Sequence, residues 1–551
     1  MGGGGANSLD SQISLPDNND SKEETSEDYV VTYKSYSDYF TDYELTADKM
    51  TEKDFTGTGS ASNPFNVYST RGFIYLSTQF NGRYTNLHCD IVLNEETFDE
   101  NGTPSGGDGV VYRWRVVNGY RAIMNGNGHS IFGMYINGTS SMIGLFDTSG
   151  VALIENVKME KFFVKGGDYV SPFGYRVLRI ANCVSNGFVS GKYSTSGFFI
   201  NINSEARNCD NYSNIKSVEK EDGSLCDRAG GCFIFVENGA VVENCNNYGD
   251  IVTHWYGGGI IGEYHNLKGT LKNCNNYGNI KGTNAIGGIV SALYQGELTL
   301  INCNNYGIIG DENLDISSVG GIVGYVGGTI SISGCNSYGK IYRKKANDYC
   351  GGIVGKIGGS GVTEHLGTVY IDDCYAEIDC ETQKKSNVIV GIVAGEYCEL
   401  IVKNSKFKIN NFDKITTTAS CYLHTNTKKT SIENIEIEVL TEDKTIRKNF
   451  YLFSKNPIID YKIDANNILV KASFNVQNSD LFSKSQGECC KNYIISSNGA
   501  KYYGGSNFSN FFYSWKKGEI LLGGISGNSI FQNKIDEDWL QRNGYTKKEV
   551  V

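Results

Sequence analysis

The sequence predicts an all-β protein: a right-handed parallel β-helix of about 13 coils closed by N- and C-terminal caps. Three observations predict it. First, Asn244-Cys245-Asn246-Asn247-Tyr248-Gly249 recurs at Asn273 to Gly278 and again at Asn302 to Gly307, with degenerate copies at Asn208 to Ser213 and Gly334 to Gly339. Second, a glycine block follows each copy, as in Gly258-Gly259-Ile260-Ile261-Gly262, Gly287-Gly288-Ile289-Val290, Gly320-Gly321-Ile322-Val323-Gly324 and Gly351-Gly352-Ile353-Val354-Gly355. Third, an alternating apolar segment precedes each cysteine, such as Leu298 to Ile301, Ile330 to Ser333 and Val369 to Asp372.

Strands of this kind alternate with period two, and no run of apolar residues at helical spacing interrupts them. Each unit therefore holds three strand-like pieces separated by Gly or Asn corners. The unit repeats at about 30 residues, a length that suits one coil of a solenoid and falls short of a four-stranded propeller blade. Stacking equivalent coils puts like residues above one another. Asn then forms amide ladders, Gly supplies positive φ and close approach at corners, and Ile, Val and Leu fill the column. Unit length varies through loops, of which Ser217 to Arg228 and Lys340 to Tyr349 are the clearest.

Composition agrees. Of 551 residues, 67 are Gly, 36 Tyr and only 5 Pro, while 40% are hydrophobic, enough for a real core. The net charge of −11 argues against a nucleic-acid partner, which needs a basic stripe. There is no apolar run long enough for a transmembrane helix. Residues 1–30 read as a flexible tether: four glycines followed by a polar, acidic stretch. Residues 31–110 read as the N-terminal cap with the first strands, 111–500 as the repeats, and 501–551 as a C-terminal cap with a short helix from Asp536 to Gly544.

The order of elements resembles bacterial cell-surface β-helix proteins with GLUG-type repeats, a pectate-lyase-like solenoid group. The resemblance rests on Gly57 to Phe65 with Tyr75-Leu76, on Asp90 to Asn94, on Asn127-Gly128-His129 and on Gly144-Leu145-Phe146. It implies a secreted or surface-exposed protein. The N-terminus also resembles the segment after the lipidated cysteine of bacterial lipoproteins, with Met1 standing where that cysteine would be. A native disordered N-terminus is the alternative. Membrane contact is expected only through such a lipid anchor, and the chain is expected to be a monomer.

Sixteen cysteines raise the question of redox or metal chemistry. Seven of them, Cys183, Cys209, Cys245, Cys274, Cys303, Cys335 and Cys374, share one coil position, so a reduced core ladder is expected. Cys226, Cys232, Cys489 and Cys490 are the places to look for oxidation. No metal-ligand spacing, phosphate loop or nucleophile elbow occurs, and neither a metal nor a cofactor is implied. His129 is expected to be structural, at a turn.

The candidate ligand-binding residues are His254, Trp255, Tyr256 and His265 in one coil, and the basic run Arg343, Lys344 and Lys345. The bland alternatives are packing for the first set and a solvated loop for the second. The expected function is non-catalytic: an adhesin, or a module binding a glycan or a host or cell-surface protein. The rival is a polysaccharide lyase or glycosidase, with acids such as Asp372-Asp373 or Glu396. A groove in which acids meet a Lys or Arg would support that rival.

Overall fold

The computed structural model describes residues 31–442 apart from 106–108, 148–149, 218–226, 238, 264–266, 343–348, 359–367, 381–388, 391–392, 396–398, 413–420 and 423–428. It also describes the backbone of strands 447–448, 462–472, 475–476 and 493–497. The expected tether and C-terminal segment lie outside the described residues.

The chain is an all-β parallel solenoid. One sheet of eight parallel strands, one per coil, runs from Met142–Ile143 through Tyr256–Gly258 to Tyr349–Gly351 and marks about eight turns. A second ladder pairs Ala240–Glu243 with Leu267–Lys272, Gly296–Ile301, Thr329–Ser333, Thr368–Asp372 and Glu399–Lys403 in turn. Its register stacks Val242, Leu271, Leu300, Ile332, Ile371 and Val402, all buried, into one apolar column. The coil from Leu267 to Leu293 contains five short strands, not the three pieces expected. The first of its breaks falls at Asn273, whose φ is 53°.

Those corners divide the labour between Asn and Gly in a way the composition could not. At the corner before five of the repeat cysteines, positive φ falls on asparagine: Asn182, Asn208, Asn244, Asn273 and Asn302 all sit at 52–53°. Asn tolerates this left-handed conformation because its short amide finds local partners. Here each Nδ2 reaches the Oδ1 of the preceding coil, from Asn182→Asn156 at 3.0 Å to Asn273→Asn244 at 3.2 Å. The glycines of the Gly-Gly block serve close approach instead. A Cβ on Gly258 would stand 1.9 Å from the carbonyl oxygen of Ile261.

Inside the column a second amide ladder is fully buried. Asn247, Asn276 and Asn305 each donate to a glycine carbonyl two residues on, and Asn247 and Asn276 also donate to the next coil's Oδ1 at 2.8 Å. The seven repeat cysteines are free and buried, between Val157 at one end and Ser405 at the other. Cys232 is also free and buried; Cys226, Cys489 and Cys490 lie outside the described residues.

At the N-terminal end, Phe65–Val67 pairs in parallel with Tyr84–Leu87 and antiparallel with Phe55–Thr56. Helix Thr70–Leu76 starts where the Ser69 hydroxyl accepts the Gly72 N–H, and it buries Phe73, Ile74 and Leu76. No helix among the described residues is long and apolar enough to cross a membrane.

Candidate ligand-binding groove

Two outward faces of the column meet at a concave corner. One wall carries Ser194, Arg228 and Tyr256 in register, with their neighbours Thr195, Ala229 and Gly257 turned inward. The other carries Asn201 beside Phe235, and further along Ala292, Tyr325 and Lys356. Glycine makes the corner tight: a Cβ on Gly230 would lie 2.8 Å from the Gly262 nitrogen, and one on Gly287 2.6 Å from that of Gly324. The walls can approach only because those side chains are missing.

Aromatic rings line this corner. The Arg228 guanidinium sits 4.6 Å from the Tyr193 ring centroid and 5.8 Å from that of Phe235. Trp255 meets Tyr256 edge-on at 5.9 Å, Tyr256 meets Tyr294 at 6.0 Å, and Tyr294 meets Tyr325 at 5.3 Å. The hydroxyls of Tyr256 and Tyr294 are hydrogen-bonded to each other. Tyr193, Trp255, Tyr294 and Tyr325 are half-buried, so part of each ring faces solvent.

Charge is concentrated at the groove floor. Arg228 and Glu263 form an ion pair whose side chains are 12% and 2% exposed. The preceding residue, Asp227, is turned toward buried Thr253, and its carboxylate accepts the Thr253 hydroxyl at 3.0 Å and the His254 backbone N–H at 2.6 Å. The His254 Nδ1 lies 3.9 Å from Asp227 Oδ1. Burial pushes Asp227 above the usual carboxylate range, and those hydrogen bonds only partly oppose it. In the same corner, Ser194 and Asn201 are buried polar side chains.

The structure brings His254, Trp255 and Tyr256 together with Tyr193, Asp227, Arg228, Glu263, Tyr294 and Tyr325, none of which the sequence singled out. His265, Arg343, Lys344 and Lys345 lie outside the described residues, as does Glu396. Asp372 and Asp373 belong to the corner ladder: Asp373 has φ 51°, and Asp372 accepts the Asn404 amide at 2.8 Å. His129 sits beside a turn, its Nδ1 3.2 Å from Asp90. Among the described residues no group of three His, Cys, Asp or Glu side chains is placed to hold a metal ion.

A different aromatic array runs along another face. Tyr212, Tyr248, Tyr277, Tyr306 and Tyr338 are exposed and stack ring on ring at 4.6 to 5.2 Å. Their faces cover one another, so the column offers solvent only ring edges and hydroxyls. Burial, with the nearby Asp210 carboxylate, pushes the Tyr248 phenol up to about 12.

No protein-family model matches this sequence, and no curated protein matches it. Among solved structures the chain is similar to a "putative immunoglobulin A1 protease" from Bacteroides ovatus, at 17% identity over 61% of this chain and 79% of that one, with a TM-score of 0.32. The β-solenoid fold stands on the parallel ladders above.

Proposed function

We propose that this chain is a non-catalytic β-helix protein, secreted or displayed on a bacterial surface, that binds an extended glycan or host ligand along the concave groove. The observation that carries this reading is the series of half-exposed rings from Tyr193 to Tyr325. Binding sites combine aromatic walls with a few placed polar groups in this way, and sugars offer apolar C–H faces with hydroxyls at their edges.

The finer architecture belongs to the same proposal. A right-handed column of about 13 coils fits the strong handedness of parallel crossovers, and Lys429–Val439, Lys462–Ala472 and Tyr493–Ser497 extend the ladder in its support. Helix Thr70–Leu76 and the antiparallel Phe55–Thr56 strand would serve as the N-terminal cap, shielding the first strand edge. The partner is a glycan or a host or cell-surface protein, and the N-terminal tether would carry any lipid anchor.

One observation favours a second reading, a polysaccharide lyase or glycosidase: adjacent residues carry two charged pairs, Arg228 with Glu263 and Asp227 with His254. Their burial weighs against it. The Glu263 and Asp227 side chains are 2% and 1% exposed, so neither carboxylate reaches a polymer lying in the groove. A glycan-array screen run beside an assay for unsaturated-uronate release tests both. The expected result is binding without release, weakened about tenfold or more by Trp255→Ala. Uronate release abolished by Glu263→Gln would establish the enzyme instead, and a protein that binds no glycan would end the binding proposal.

A further inference from the structure

Every cysteine among the described residues is free, and all but Cys89 are buried, so no disulfide ties one coil to the next there. The tyrosine column, by contrast, stacks one oxidisable side chain at the same exposed place in five successive coils. Outside the cell, where the surroundings are oxidising, covalent staples form and persist.

Four junctions join these five phenols. Ring centroids are 4.6 Å apart for Tyr212–Tyr248, 4.8 Å for Tyr248–Tyr277, 4.9 Å for Tyr277–Tyr306 and 5.2 Å for Tyr306–Tyr338, and the first three pairs are parallel within 5°. The backbone sets these distances. The short strands just ahead of the tyrosines pair in parallel register from coil to coil. Each tyrosine N–H from Tyr248 to Tyr338 also donates to the buried asparagine carbonyl of the preceding coil, at 2.7 to 2.8 Å. Tyr375 continues the series at 5.3 Å, but it is tilted by 36° and its hydroxyl donates to Glu377 at 3.1 Å. Tyr68, Tyr120 and Tyr370 are as exposed as the column, at 40–44% against 38–46%, yet no tyrosine ring stacks on them among the described residues. Exposure is therefore matched, and only proximity differs.

We propose that the column is an oxidative cross-linking site, at which neighbouring tyrosines couple into dityrosine and staple successive coils. The inference goes beyond the glycan-binding reading and shares no residue with the groove. Two phenols each give one electron and the hydroxyl proton to a haem peroxidase. The resulting phenoxyl radicals join through the ring carbons beside their oxygens, and the hydrogens on those carbons move to the oxygens, restoring both phenols. The net loss of two electrons and two protons reduces one hydrogen peroxide to two waters. Coupling asks each ring to turn about its Cβ–Cγ bond, a broad torsion for tyrosine, while the coils keep their spacing. Each link closes a loop of 29 to 36 residues, so it restricts the unfolded chain as a disulfide would.

The test treats the full chain, dilute enough to suppress contact between molecules, with a haem peroxidase and hydrogen peroxide. Dityrosine is read by its fluorescence, and the linked residues by peptide mass spectrometry. Products lighter by two hydrogens should join column neighbours within one chain, and the urea midpoint of the treated protein should rise. Tyr277→Phe keeps a ring in the stack but forms no phenoxyl radical. It should remove the Tyr248–Tyr277 and Tyr277–Tyr306 links and leave the other two junctions reactive. Tyr248→Phe combined with Tyr306→Phe interrupts all four junctions and should abolish links within the column at unchanged circular dichroism. Links at Tyr68, Tyr120 and Tyr370 as frequent as those in the column would overturn the proposal. So would links found only between molecules, no dityrosine at all, or dityrosine fluorescence unchanged in the double variant.

Discussion

The rings of Tyr248 and Tyr277 lie 4.8 Å apart and within 2° of parallel, although both residues are exposed. Their separation is the strand spacing of a parallel sheet, so the coil stacking itself places the rings in contact. Each interior tyrosine of the column uses both ring faces on its neighbours. Such a column stabilises the fold and leaves no free aromatic face for a sugar, in contrast to the tilted and edge-on rings of the groove.

Replacing Tyr277 by Ala removes two stacking contacts, with Tyr248 and Tyr306. At about 0.5–1.5 kcal/mol per aromatic pair, the expected loss is roughly 1–3 kcal/mol in urea unfolding. Glycan binding in the groove should be unchanged; a loss of that binding at unchanged stability would assign the column to ligand recognition.

The buried Asn276 amide donates to Gly278 O and to Asn305 Oδ1, each at 2.8 Å, and accepts from Asn247. Asn276→Ala orphans buried groups on three successive coils. Each orphaned group costs about 1–3 kcal/mol, so this single change should lower the unfolding midpoint more than Tyr277→Ala does.

Gly278 tests the packing. A Cβ there would stand 2.0 Å from the Gly249 carbonyl oxygen, with backbone and not a flexible side chain in the way. Gly278→Ala should destabilise by at least about 3 kcal/mol or prevent folding. Gly239, at φ 80° with nothing within 4 Å of an added Cβ, provides the contrast. Gly239→Ala should cost only about 1–2 kcal/mol, the strain of a left-handed residue.

Asp227 carries a pH signature. Burial raises its carboxyl above the unfolded value, so between the two values the folded state holds more protons, and stability falls as pH rises through that window. Asp227→Asn keeps the acceptor for Thr253 and the His254 N–H while removing the buried charge. Thermal melts should show the variant gaining on the wild type at pH 7 and losing that advantage in acid.

The core thiols give an opposite edge to the stability profile. Burial pushes Cys209, Cys232 and Cys245 well above the ordinary thiol range. The folded protein should leave these thiols unmodified by a disulfide reagent and expose them on unfolding. Above the unfolded thiol value of about 8.5, the unfolded state loses protons that the folded state keeps, so stability should decline as pH rises further. Rapid labelling of Cys245 in the native protein would contradict this.

Much of the architecture was legible in the residues because a solenoid is a local repeat. The Asn-Cys-Asn-Asn-Tyr-Gly copies and the Gly-Gly blocks announce stacked coils, and the shared position of Cys183 to Cys374 announces a core ladder. The same local logic brought out His254, Trp255 and Tyr256, which stand together in one coil. It could not tell Asn from Gly at the corners, because both suit turns; the backbone gives positive φ to the Asn before Cys183, Cys209, Cys245, Cys274 and Cys303, and close approach to the Gly-Gly block.

The tertiary structure alone decided what those coils surround. Arg228 and Glu263 are 35 residues apart in sequence and pair only because neighbouring coils meet across a concave corner. A cleft beside Ile308 is walled by the insertion after Ile309. The repeat determines that residues about 30 apart will stack, since each coil must bury its apolar side on the next. Whether the outer faces of those coils close into a groove, a cleft or a flat face depends on how sharply each corner bends and which loop stands over it. That is set by contacts between coils, which no single unit of the sequence contains.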